Sequence, residues 1–221
     1  MRMKKALFAA AAVLGAVAAQ AATVTYSFGL PLVLATTEID KTGSLGLFDS
    51  NLGTLTGATL TLEGGASFSF SGTNNAAQTQ LANITSSTDL FWSTSLGALT
   101  PFLGTISLSA SSGAQNYAVG ETKSFGPLLD NDSQVDNLAT ILGSLQQSGG
   151  GTFDLRCQSL SGLLVQGGGG NIGTTQSTTA GCGATIVYDY TDRPAQVPEP
   201  ASLALVGVAL AGLSFARRRK A

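Results

Sequence analysis

The sequence predicts an all-β protein: an antiparallel β-sandwich or jelly-roll-like domain with room for one short helix, carried between an N-terminal signal peptide and a C-terminal transmembrane helix. Three observations predict it. Apolar residues alternate with small polar ones at a period of two through most of the chain. Thr, Ser and Gly fill the alternate positions and the breaks, as they do in sheets with one face in water. The longest apolar runs lie at the two ends, each beside a cluster of cations.

The first element is MRMKKALFAAAAVLGAVAAQAA. Arg2, Lys4 and Lys5 form a positive region, and thirteen apolar residues follow from Ala6 to Ala18. Ala19-Gln20-Ala21 then has the small-x-small pattern of a signal peptidase site. Thirteen helical residues rise about 20 Å, short of a hydrocarbon core of about 30 Å, so the segment reads as a cleaved signal and not as a retained span. Residues 1–21 are the expected signal peptide and 22–192 the expected exported domain.

Within that domain the strands follow in order. TVTYSFGL puts Val24, Tyr26, Phe28 and Leu30 on one face. GATLTLEG aligns Ala58, Leu60 and Leu62; ASFSFSG aligns Phe68 and Phe70; TISLSA aligns Ile106 and Leu108. GTFDLRCQS aligns Phe153, Leu155 and Cys157, and ATIVYDYT aligns Ile186, Tyr188 and Tyr190. One segment departs from the period. From Ser133 to Gln147, Val135, Leu138, Ile141, Leu142 and Leu145 are spaced as on a helix, with Asp132 or Ser133 able to cap it and Gly149–Gly151 able to end it; a single helix or a long turn is expected there. Gly167–Gly170 reads as a loop tip, since no Lys-Ser/Thr follows to make it a phosphate cradle.

Export sets the chemistry of Cys157 and Cys182. In an oxidising compartment the pair is most simply a disulfide, closing a loop of about 26 residues worth about 3.5 kcal/mol in the chain-entropy model. The alternative is a reactive thiol, but the chain has no His and no CxxC spacing to activate one.

Charge and composition exclude several functions. The absence of His removes Ser-His-Asp and Cys-His nucleophile systems and imidazole metal sites. Between residues 22 and 196 four cations (Lys41, Lys123, Arg156 and Arg193) stand against twelve acids, a net −8. Such a body has no footprint for nucleic acid. No cofactor is expected. Asp130, Asp132 and Asp136, with Asn131 and Asn137, are candidates for a hard cation such as Ca²⁺, or else a solvated acidic loop. An EF-hand pattern fails, because Val135 stands where Gly is needed. Asp49, Glu63, Asp89 and Asp154 are the carboxylates a hydrolase would draw on, though no motif joins them. Trp92 is either a core residue beside Leu90 and Phe91 or a sugar-stacking platform. Asn83-Ile84-Thr85 and Asn131-Asp132-Ser133 match a glycosylation sequon by coincidence.

The last elements are a linker over residues 193–200, an apolar helix over 201–216 and a basic tail over 217–221. Pro198 and Pro200 hold the linker extended around Glu199. The apolar segment reaches about 23 Å as a helix, and the arginines can snorkel to cover the deficit. Arg217, Arg218, Arg219 and Lys220 hold the tail cytoplasmic, so the body faces out. Gly207 and Ala211 have a weak small-xxx-small spacing.

This tripartite end, Val-Pro-Glu-Pro, apolar helix and Arg-rich tail, resembles the PEP-CTERM sorting signal of Gram-negative bacteria. The resemblance implies that an exosortase recognises Pro198, Glu199 and Pro200 and cuts near them. It also implies that 201–216 is a temporary anchor in the inner membrane, and that the protein passes on to the cell surface or the extracellular matrix. The block Leu47–Gly64, with Phe48, Leu52, Gly53, Thr54, Leu55, Leu60 and Leu62, together with Ser148–Leu155 and Ala184–Thr191, resembles the exported choice-of-anchor E domain. That family implies an all-β surface module with no assigned catalysis. The expected function is therefore a non-enzymatic structural or adhesive component associated with exopolysaccharide, processed by signal peptidase and exosortase. A carbohydrate-binding module is the alternative, and a secreted hydrolase a more distant one.

Overall fold

The computed structural model describes residues 21–193 and residue 207. The signal segment, the Pro-Glu-Pro linker and, apart from residue 207, the apolar and basic C-terminal segments lie outside the described residues.

Period-two patterning gives strands throughout. They are β1 (Ala21–Phe28), β2 (Ala35–Thr36), β3 (Asp40–Asp49), β4 (Gly53–Asn74), β5 (Gln80–Thr94), β6 (Ile106–Ser111), β7 (Gln115–Tyr117), β8 (Thr122–Asn137), β9 (Gln146–Gln147), β10 (Gly151–Gly167) and β11 (Ile172–Asp192). They form two sheets. Sheet A runs β1-β11-β4-β8, with β2 on β11; sheet B runs β6-β5-β10-β3-β9, with β7 on β5. The pairings are antiparallel except for the short parallel contact of β3 with β9. The result is the expected all-β sandwich.

The axis of sheet A is the β4–β11 pair, in register from Gly53–Asp192 to Asn74–Ile172. At about 3.3 Å per residue the 22-residue β4 is about 70 Å of chain. Alternation puts Ala58, Leu60, Leu62, Ala66, Phe68 and Phe70 inward, opposite Ile84, Leu90, Ile106, Leu108, Phe153 and Leu155 from sheet B. The outward positions of β4 carry Thr and Ser, which couple across strands: Ser71 Oγ lies 2.7 Å from Thr175 Oγ1, and Thr73 Oγ1 lies 2.7 Å from Thr122 Oγ1. Near its start β4 holds one residue more than β11, because Leu55 pairs with Tyr190 but Gly57 with Asp189. This bulge lets Leu55 and Ala58 both turn inward, and Thr56 Oγ1 donates to the Asp189 carbonyl at 2.9 Å.

The segment with helical spacing resolves differently at its two ends. Residues 133–137 are strand, because β8 continues its ladder on β4 as far as Thr59–Asn137. Val135 is consequently exposed. Ala139–Ser144 then forms a short 3-10 turn. Leu138 and Leu145 are buried, and Ile141 and Leu142 pack against the core. Ladder hydrogen bonds with a long strand outweigh the helical spacing of the first residues, and only the turn uses the rest.

Both long sides of the sandwich are closed by side chains. On one, Tyr26 and Phe28 of β1 lie in the spaces left by Gly46 and Gly43 of β3; a Cβ at Gly46 would stand 2.5 Å from Tyr26 Cε1. Tyr188 lies fully buried between the sheets and donates to the Gly46 carbonyl at 2.9 Å. Its ring packs against Tyr26 and Phe48 at 6.1 and 6.0 Å. Burial, and to a lesser degree Tyr26, pushes the Tyr188 phenol above its ordinary range. On the other side Asp130 of β8 accepts the Ser109 amide of β6 at 2.8 Å. Through the middle, Cys157 of β10 and Cys182 of β11 form a disulfide with a Cα–Cα distance of 6.6 Å. It joins sheet B to sheet A, and both residues are fully buried.

Candidate functional site

The sorting residues Pro198, Glu199, Pro200, Arg217, Arg218, Arg219 and Lys220, and Ala19 of the signal site, lie outside the described residues. Ala21 is the first residue of β1 and pairs with Thr191 of β11. Both chain attachments therefore leave the sandwich at one end of sheet A. Among the described residues no helix is long and apolar enough to cross a membrane.

The acidic candidates do not converge. Asp130, Asp132 and Asp136 are strung along β8 over about 20 Å. Asp130 accepts from Ser109, Asp132 from the Ser133 amide and Asp136 from Gln134 Nε2. Among the described residues no three His, Cys, Asp or Glu side chains cluster as metal ligands do. Glu63 and Asp89 sit on β4 and β5, at the outward positions of opposite sheets. Asp49 is engaged in a turn, accepting the amides of Asn51 and Gly149 at 2.9 and 2.8 Å. Asp154 accepts the Ser44 hydroxyl from the neighbouring strand. Trp92 is half-buried and packs edge-on against Phe28 with centroids 6.4 Å apart, so its ring joins the edge of the core. Gly167–Gly170 all have positive φ and make the tight connection from β10 in sheet B to β11 in sheet A.

A different group of residues does converge, and sequence patterning passes over it. Where β10 and β11 approach that Gly-rich connection, polar side chains replace the apolar core. Ser86 and Thr88 of β5 are fully buried, and Thr178 of β11 is 4% exposed. Gln176 spans the gap between the sheets: its Nε2 donates to Ser86 Oγ at 2.9 Å and to Thr178 Oγ1 at 2.8 Å. Thr88 Oγ1 and Ser161 Oγ share a hydrogen bond of 2.9 Å. A cleft of about 280 Å³ opens over this floor, lined by Thr36, Thr37, Ser161, Gln176, Ser177 and Thr178. At its rim the exposed Glu38 accepts the Ser161 amide at 2.9 Å, and Thr37 Oγ1 donates to the Thr178 carbonyl at 3.3 Å. The sequence does hold a signal for it: Ser86, Thr88 and Thr178 occupy inward positions of strands that elsewhere put Ala, Ile, Leu, Cys or Tyr there.

Electrostatics elsewhere is sparse. Arg156 makes a two-pronged pair with Asp40 on the outer face of sheet B. The hydrogen bond from Arg156 holds the Asp40 carboxyl below the usual range against the opposing effect of desolvation, with smaller help from the Arg156 charge and from Gln158.

No curated protein matches the chain. Among solved structures, two of infectious bursal disease virus, the Gt and Gx strains, are 11% identical over 93% and 86% of this chain. Their TM-scores are 0.19 and 0.18, too low to relate the folds, and the chain spans about half of each, 52% and 48%. Residues 196–220 match the PEP-CTERM protein-sorting motif. The motif begins four residues after β11 ends, and it marks the chain as an exported protein sorted through a C-terminal signal that an exosortase processes.

Proposed function

We propose that this chain is a non-enzymatic structural or adhesive component of the cell surface or extracellular matrix, associated with exopolysaccharide. In this reading signal peptidase releases it after Ala21, residues 201–216 hold it briefly in the inner membrane, and cleavage near Pro198-Glu199-Pro200 frees it. The sorting motif at 196–220 carries the reading. The body supports it. A long disulfide-tied sandwich with both attachments at one end suits a part that must stand off a surface. Its net charge of −8 suits a hydrated medium and not a nucleic acid. We also read the body as a choice-of-anchor E-like module, since the block that carries this resemblance forms the end of β3 and the start of β4, with Phe48, Leu55, Leu60 and Leu62 buried.

Cell fractionation tests the proposal. The processed chain is expected to co-purify with matrix polysaccharide and to shift into the medium when polysaccharide synthesis is blocked. A chain found free in the medium whether or not the polymer is present would overturn the matrix role.

A further inference from the structure

The polar cleft between β10 and β11 lies outside the sorting motif at 196–220, and its chemistry is specific. A sandwich interior ordinarily excludes polar groups unless they are paired, because burying an unpaired one costs several kcal/mol. Here Ser86, Thr88 and Thr178 are buried and paired with Ser161 and Gln176, which fixes the side chains in place. Gln176 spends both amide hydrogens on that floor. Its carbonyl oxygen is left to accept. Thr37 spends its hydroxyl hydrogen on the Thr178 carbonyl and likewise keeps acceptor capacity. Glu38 uses Oε1 on the Ser161 amide and holds Oε2 at the rim. The cleft is thus rich in acceptors, and neither Lys nor Arg lines it.

We propose that this cleft binds a neutral polyhydroxyl ligand, a single pyranose residue of a polysaccharide, whose hydroxyls donate to Gln176 Oε1, Thr37 Oγ1 and the Glu38 carboxylate. The size agrees, since an open cleft of about 280 Å³ has room for one sugar ring. Charge selects against anionic sugars, because Glu38 brings a carboxylate to the rim and no Lys or Arg lines the cleft. On this side of β10 the ladder with β3 ends at Gln158, so no β3 residue pairs with β10 beside Ser161. The proposal deepens the matrix reading by naming what the body would hold, and rests on it only for the source of the sugar.

Nuclear magnetic resonance on the processed protein tests it, with the methyl glycosides of glucose, galactose and mannose as probes and glucuronate as the charged comparison. At least one neutral glycoside is expected to shift the Gln176 side-chain amide and the Ser161 and Ser177 backbone amides saturably below about 100 mM, with glucuronate much weaker. Glu38→Gln, at an exposed position, is expected to weaken binding several-fold with melting unchanged. Gln176→Ala is expected to weaken it about tenfold or more. Thr185→Ala, distant on the outer face of sheet A, should change nothing. Shifts from none of the three neutral glycosides, or binding indifferent to Glu38→Gln and Gln176→Ala, would overturn the site. Were no glycoside to bind while the chain was still matrix-bound on fractionation, the cleft proposal alone would fall; were it to bind sugar yet never reach the matrix, the matrix reading alone would fall.

Discussion

Replacing Cys157 and Cys182 together with Ala removes the disulfide that ties the two sheets. The tie closes a loop of about 26 residues, so the unfolded chain regains about 3.5 kcal/mol of conformational freedom. Both cysteines are fully buried, so the two lost sulfurs add a packing cost of the same sign. In a domain of this size 1 kcal/mol moves the melting temperature by about 2–4 °C, which gives a fall of about 7–14 °C before the packing cost is counted. The assay is thermal unfolding at pH 7, followed by circular dichroism, of the wild-type protein, the double variant, and the wild type with reductant. The reduced wild type should fall with the variant, by slightly less, because it keeps its sulfurs. A chain retained in the cytosol by deletion of residues 1–21 should melt like the reduced form. If oxidised and reduced proteins melt within about 2 °C of one another, the disulfide does not constrain the unfolded state as argued here.

Three further outcomes follow from named contacts. Tyr188→Phe deletes the buried hydrogen bond to Gly46 and should cost about 1–2 kcal/mol, read as a loss of about 2–8 °C in melting temperature. Gly46→Ala drives a methyl group into the Tyr26 ring and should cost about 1–3 kcal/mol, whereas Gly97→Ala, with nothing within 4 Å, should stay within about 0.5 kcal/mol by chemical denaturation. Asp40→Asn probes a carboxyl that its Arg156 partner holds low. Its pairing with Arg156 stabilises the fold above the ordinary Asp pKa of about 3.9 and loses that effect as pH falls through the lower folded value, so the small wild-type advantage in melting temperature at pH 7 should shrink as the solution is acidified below that ordinary value.

The sheet faces were legible because alternation leaves little choice. Val24, Tyr26 and Phe28, then Leu60 and Leu62, then Phe68 and Phe70 are the residues that turn toward the core, since a strand with one wet face can place them nowhere else. The fate of residues 133–147 was only half legible. Local spacing marks Leu138, Ile141, Leu142 and Leu145 as a unit, but the partner that draws 133–137 into a strand is β4, some seventy residues earlier, and no local pattern records it. The acidic triplet looked clustered because its members are close in sequence, yet an extended strand separates by distance what a loop would gather. The polar cleft escaped notice for the opposite reason. Ser86 lies 90 residues before Gln176 in the chain, and it, Gln176 and Thr178 each alone resemble an ordinary surface residue. Only the stacking of the sheets shows that they face inward together.

The most direct test of the central claim, that the terminal segments are addresses and the sandwich is their cargo, is the intact mass of the chain recovered from the matrix fraction. The account predicts a polypeptide that starts at Ala22, ends near Pro198–Pro200 and is two hydrogens lighter than its sequence because Cys157 and Cys182 are joined. A full-length chain of residues 1–221 with two free thiols, recovered from the cytosol, would contradict it.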